Sequence, residues 1–287
     1  MTMDDDVTST WAGERPRLLG LAYRLTGSRA DAEDLVQEAF GRLAVADGVD
    51  QPAAWLTTVT TRLAIDHLRL ARVQREVYVG PWLPEPVEEG FADPADDLEL
   101  AESVSMALLR VMEAMTPVER AAFVLHDVFG YPHQEVADML GRSHAAIRQA
   151  AARGRRRIKD QGPPFEPDRT RRQEVAERFL AAARGDDLDA LMAVLSPDVV
   201  FRSDGGGVVH AARKELVGAR RVSAFLLALA AGRPDGTAEL TWVNASPALR
   251  VSAGGAVISV MALQVGPDGR IVEINAVLNP AKLGGVT

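Results

Sequence analysis

The sequence contains no cysteine. That absence excludes disulfide frameworks, thiol nucleophiles, thiolate zinc sites and iron–sulfur clusters together, and it suits a reducing, intracellular compartment. Aromatic residues make up only 5% of the 287 positions. No apolar run approaches the ~18 residues that a membrane span requires. The stretch from Met1 to Asp6 is acidic, where a secretory leader would be basic. The expectation is a soluble, cytoplasmic chain with no membrane partner. What the sequence does hold is 47% hydrophobic residues, ample for more than one buried core, at a length that suggests two or so domains.

Basic residues are fewer than acidic ones, 32 against 40, for a formal net charge of −8. Taken alone, that figure speaks against a polyanionic partner. Its distribution says otherwise. Residues 1–80 carry 9 basic and 12 acidic side chains, 81–108 carry 0 and 8, 109–161 carry 9 and 6, and 162–287 carry 14 and 14. The whole excess therefore equals the contribution of 81–108, where four prolines between Pro81 and Pro94 preclude a continuous helix. This segment reads as an extended acidic linker over 81–102. A second break, at 162–169 with Pro163, Pro164 and Pro167, follows a strongly basic stretch.

The segments on either side of the first linker, within 10–160, read as α-helical. Ser28 stands three residues ahead of Asp31, as in a capping box, and Leu35, Ala39, Phe40 and Leu43 follow at helical spacing. A longer helix is expected from about Pro52 through Glu76, apolar at Leu56, Val59, Leu63, Ile65 and Leu68 and basic in its second half. Val104, Leu108, Val111, Met112 and Met115 mark another, and Thr116 with Pro117 marks the cap and first position of the next. Beyond residue 170 two amphipathic helices are expected, the first ended by Gly185 and the second, through Leu195, by Pro197. Strand-like runs follow at 239–243, 256–261 and 271–274, with a hairpin signal at Pro267 to Gly269. This half reads as α+β, helices first and an antiparallel sheet after.

The sharpest local pattern lies at 130–159. A short helix from Gln134 to Leu140, a turn at Gly141, and a second helix capped by Ser143 with Ile147, Ala150, Gly154 and Ile158 inward make a helix-turn-helix. From Arg142 to Lys159 there are seven basic residues and no acid. A solvated helix interleaves both signs, so the run points to an anionic partner.

The residues from Asp31 to Phe40 (DAEDLVQEAF), those from Trp55 to Arg69 (WLTTVTTRLAIDHLR), and the helix-turn-helix around Glu135 to Leu140 (EVADML) resemble, in order and spacing, bacterial extracytoplasmic-function RNA polymerase sigma factors. The run Trp82, Leu83, Pro84, Glu85, Pro86 and the C-terminal extension are similar to the SigJ-type branch, which carries a SnoaL-like domain. The resemblance implies two all-α sigma-factor domains, the second a helix-turn-helix, followed by an α+β SnoaL/NTF2-like cone. Their expected bounds are 10–80 for region 2, 103–161 for region 4 and 170–287 for the cone.

It also implies roles for particular residues. Asp34, Gln37 and Glu38 would dock on core RNA polymerase, through its clamp, with region 4 on the flap. Arg62, Arg69, Arg72 and Arg75 would hold the −10 strand backbone, although Arg62 stands where many members have Asn. On the second helix of the helix-turn-helix, Ser143, His144, Arg148 and Gln149 would meet −35 base edges, and Arg153, Arg155, Arg156 and Arg157 its phosphates. Pro132 stands where the family has a serine cap and is expected to serve as a first-turn proline. The Trp82–Pro86 run, Asp204, Gly205, Gly206 and Gly207, and Asn279, Pro280 and Lys282 would form a regulatory contact. Val208 and Ala281 stand where Lys and Asp are common, losses expected to weaken that contact. No catalytic, cofactor-binding or metal-ligating constellation is evident. Two alternatives stay open: a cyclase or isomerase acting through Asp204 and His210 on vestigial sigma modules, and a ligand-sensing helix-turn-helix regulator that works without polymerase. A small ligand in a C-terminal pocket is a further possible partner.

Overall fold

The computed structural model describes residues 3–88, 105–162 and 168–286. Most of the acidic linker, at 89–104, and 163–167 of the second break lie outside them. The described residues divide into two compact units, 3–76 with 111–161, and 77–88 with 105–110 and the part from 162 onward.

The first unit is helical. α1 (Met3–Thr26), α2 (Arg29–Ala44) and α3 (Pro52–Glu76) pack on one another through Leu18, Leu21, Tyr23, Leu25, Val36, Ala39 and Leu56, all essentially inaccessible to solvent. α2 starts where expected: Ser28 caps it, with its hydroxyl accepting the Asp31 N–H at 3.2 Å. After α4 (Met106–Glu113), α5 (Pro117–Phe123) opens with a full capping box. Thr116 accepts from the Glu119 N–H, and the Glu119 carboxylate accepts from the Thr116 N–H. A π-helical turn over Val124–Val128 leads to α6 (His133–Leu140) and α7 (His144–Gln161). Gly141, at φ 59°, makes the left-handed turn between them. Gly154 lets α7 approach α5, since a Cβ there would sit 3.0 Å from that of Phe123. Pro132 is itself the N-cap of α6 and offers no side-chain bond, so it is not a first-turn proline.

In the second unit, α8 (Arg169–Arg184) and α9 (Leu188–Val194) are capped by Asp168 and Asp187. β1 (Leu195–Asp204) follows at once. Leu195 thus begins a strand instead of closing a helix, and Pro197 lies inside that strand, within the register shift between Leu195 and Val200. β2 (Leu216–Val217), α10 (Ala219–Ala231), β3 (Thr237–Val243), β4 (Ser246–Ala253), β5 (Ala256–Val265) and β6 (Ile271–Val277) complete it. The sheet order is β2-β1-β6-β5-β4-β3. Four of its neighbour pairs are antiparallel, but β1 runs parallel to β6, so the sheet is mixed and not wholly antiparallel. Val199, Phe201, Leu263, Ile271 and Ile274 meet Phe179, Leu191 and Val222 of the helices. A second apolar cluster joins Val243, Ala248, Val260, Ala262 and Val277 to Leu83 and Met106.

Candidate nucleic-acid interface and regulatory contact

α6 and α7 bury Val136, Ala137, Ile147, Ala150, Ala151 and Gly154 and so fix the angle of the helix-turn-helix. Ile158, expected inward, is only half-buried. Ser143 accepts the Ala146 N–H at 3.2 Å, which caps α7. Ser143, His144, Arg148 and Gln149 are exposed together on its first two turns. The basic run beyond them is less free than its sequence suggests. Arg153 donates to Glu119 at 2.5 Å, and Arg155 to Asp127 at 2.8 Å. Burial opposes the charge on Glu119, but bonds from the Thr116 backbone and Arg153 outweigh it and hold the carboxyl below its ordinary range. Arg156 stays exposed and Arg157 half-exposed.

The four arginines of α3 have different fates. Arg62 donates to the Met139 carbonyl at 2.7 Å, Arg69 pairs with Asp66 at 2.7 Å, and Arg72 is exposed. Arg75 binds the Thr26 carbonyl at 3.2 Å and forms an ion pair with Glu113, which also holds Arg120. Arg120 is buried, donates to the Arg24 carbonyl at 3.1 Å, and is pulled down to about 9 by burial, which leaves it charged at neutral pH. Asp34, Gln37 and Glu38 share the exposed side of α2, opposite Leu35, Val36, Ala39 and Phe40, and Glu38 pairs with Arg42 at 2.5 Å.

Within the second unit, the expected regulatory residues converge. Asp204 is fully buried. Its Oδ1 accepts from the Tyr78 hydroxyl at 2.6 Å and the Gly206 N–H at 3.0 Å; its Oδ2 accepts from the Leu83 N–H at 2.9 Å and Lys282 Nζ at 2.7 Å. Lys282 also donates to the Leu83 carbonyl at 2.5 Å and lies 4.0 Å from the centre of the Trp82 ring. Leu83, Pro84, Glu85 and Pro86 are buried in turn. Asn279 caps the short turn at Pro280–Lys282 and donates to Tyr78 at 3.1 Å. A Cβ on Gly205 would lie 2.2 Å from the Val209 carbonyl oxygen, and one on Gly206 2.5 Å from the Asn279 side chain, which accounts for those glycines by close packing. Val208 and Ala281 are exposed, so the contact runs through Asp204, Asn279 and Lys282 without the charges expected at those two positions.

Sequence reasoning missed Tyr78, which precedes the Trp-Leu-Pro run with no motif of its own. It also missed Asn244, whose side chain accepts from the Val87 N–H at 3.1 Å. The acid–base pairing imagined for Asp204 is absent from its contacts: His210 instead lines a hollow of about 200 Å³ with Val79, Gly80, Ser203 and Arg213. Among the described residues no cluster suited to a metal occurs, and no helix is long and apolar enough to cross a membrane.

Two helical modules, one of them a helix-turn-helix with an exposed basic face, define a DNA-binding transcription protein, and comparison with known proteins gives the family. Sigma-70 region 2 matches residues 11–73 and Sigma-70 region 4 matches 105–158. The chain is 44% identical to the ECF RNA polymerase sigma factor SigJ of Mycobacterium tuberculosis over 75% of this chain and 70% of that one. It is 34% identical to the probable ECF sigma factor SigI of the same species, over 99% and 97%. The crystal structure of M. tuberculosis SigJ superposes with a TM-score of 0.78 at 35% identity, over 97% of this chain and 98% of that one. The chain belongs to the extracytoplasmic-function sigma factors, which recruit core RNA polymerase to promoters and initiate transcription. Its second unit holds an α+β domain with a mixed sheet, and the cyclase or isomerase alternative falls away.

Proposed function

We propose that this sigma factor reads the −35 element with α7 and holds the −10 strand with α3, and that its cone regulates both in cis. The observation that carries the first part is the joint exposure of Ser143, His144, Arg148 and Gln149 on the capped first turns of α7. A helix that enters the major groove by its N-terminal end presents those side chains to base edges. Arg156 and Arg157, further along, suit phosphates. Arg72 is exposed and ready for the −10 backbone, Arg69 has only its exposed pair with Asp66 to give up, and Arg62 and Arg75 must leave Met139 and Glu113 first. Asp34, Gln37 and Glu38 form the polymerase-docking face toward the clamp, and region 4 meets the flap. Region 2 spans 10–80, region 4 spans 103–161, the linkers are 81–102 and 162–169, and the cone is 170–287. The site of action is the cytoplasm.

The regulatory part draws support from Asp204 and Lys282, which grip the Trp82–Pro86 strap that joins the two DNA-binding modules in the chain. A small ligand would have its place in the hollow by His210 and Arg213. Run-off transcription with purified core polymerase, on a template carrying the gene's own upstream region, tests the reading. A discrete transcript that depends on the protein is expected. Its absence, together with failure to co-purify with core polymerase, overturns the assignment.

A further inference from the structure

Three of the five histidines in the sequence gather where the π-helical turn adjoins the helix-turn-helix. His126 lies in the π-helical turn, His133 is the first residue of α6, and His144 is the first of α7. The His126 and His133 rings meet edge to face with centroids 3.6 Å apart, and His133 and His144 are 6.2 Å apart. His126 Nδ1 lies 2.8 Å from the Tyr131 carbonyl, which can only accept, so that nitrogen carries the proton. His133 Nδ1 is buried and has no hydrogen-bond partner among the described residues.

A second proton on His133 has nowhere favourable to go. It would create a buried donor without an acceptor, a costly state. The groups facing it are His126, His144 and Arg155, with Asp127 as the one acid, and Asp127 is already bound to Arg155 at 2.8 and 3.2 Å. His133 and His144 each head a helix, where the aligned N–H groups oppose a cation. Burial, then His126, Arg155 and His144, hold His133 below the ordinary histidine range against the weaker pull of Asp127.

We propose that His133 is a positioning residue for −35 recognition: as a neutral ring it seats the His144 end of α7 against α6, and its protonation unseats that end and weakens promoter binding in mild acid. The inference rests on α7 as the DNA-reading helix. The sign follows from the lowered value. The seated state is fully favoured above the unperturbed histidine pKa of ~6.5 and loses ground as pH falls through it.

The full-length protein and its His133→Gln variant are to be compared on a fluorescein-labelled duplex carrying the −35 sequence recovered by selection with the holoenzyme. Wild-type affinity should fall about threefold between pH 8 and pH 6, while the affinity of the variant, compared with its own value at pH 8, does not weaken. An equal fall in both overturns the proposal. A proton NMR titration of the wild-type histidines stands independently of variant folding and of DNA: a His133 ring that titrates at or above ~6.5 also overturns it. Amide exchange over residues 144–150, corrected for the intrinsic effect of pH, should rise below that value in wild type only. If no duplex binds at any pH, the reading of α7 fails, and the titration and exchange still decide the role of His133.

Discussion

Asp204 anchors its contact with Tyr78, Leu83 and Lys282 through four donors, two on each carboxylate oxygen. A carboxylate removed from water is stable only when its lone pairs are filled and its charge is met, and Lys282 supplies the charge. Removing one partner of such a pair leaves the other buried and uncompensated. Asp204→Ala is therefore expected to destabilise the cone by about 3–5 kcal/mol, and Tyr78→Phe, which removes one hydroxyl donor, by about 1 kcal/mol. Urea denaturation followed at Trp82 measures both. An unchanged midpoint in Asp204→Ala would show that the strap is held by its apolar residues alone. The Asp204 motif was legible in the sequence because three glycines follow it. Tyr78 was not, since the bond that gives it meaning spans 126 positions.

At the scale of the element, position along α7 separates the two kinds of DNA contact proposed above. The first two turns offer Ser143, His144, Arg148 and Gln149, and the later turns offer Arg156 and Arg157. Arg148→Ala should cost about 1–3 kcal/mol on the cognate −35 duplex and shift sequence preference, whereas Arg156→Ala should weaken cognate and scrambled duplexes alike. Equal losses on both duplexes for Arg148→Ala would remove it from base readout. Helix starts were legible because caps act within three or four residues, as at Ser28, Thr116 and Ser143. β1 and β4 were not. Their sequences begin Leu-Ser-Pro-Asp and Ser-Pro-Ala-Leu, with the turn residues of a loop, and they become strands by pairing with β6 and with β3 and β5.

For the whole molecule, the boundary drawn by composition and the boundary drawn by packing differ. The linker was expected over 81–102 as an extended acidic connector touching the C-terminal domain through Trp82–Pro86; by packing, all of 77–88 and also 105–110 belong to the second unit. Leu83 and Met106 are almost wholly buried in one of its apolar clusters. A chain cut near residue 165 should consequently lose more than a regulator. It exposes those side chains, and its transcription should differ from that of the full-length protein in a graded way with the length removed. Identical run-off yields from both forms would mean that the cone is a passive appendage. The sequence by itself determined the helix-turn-helix, the helix caps, the exposed polar side of α2 and the segregation of charge, because each depends on residues a few positions apart. Only the tertiary structure decided that Glu119 and Asp127 neutralise two arginines of the basic run, that Arg62 and Arg75 are held within the first unit, and that the strap is gripped by Asp204 and Lys282. Those pairings join residues from 28 to 199 positions apart. Chain connectivity leaves such distances open, and only the packing of cores brings their partners within bonding range.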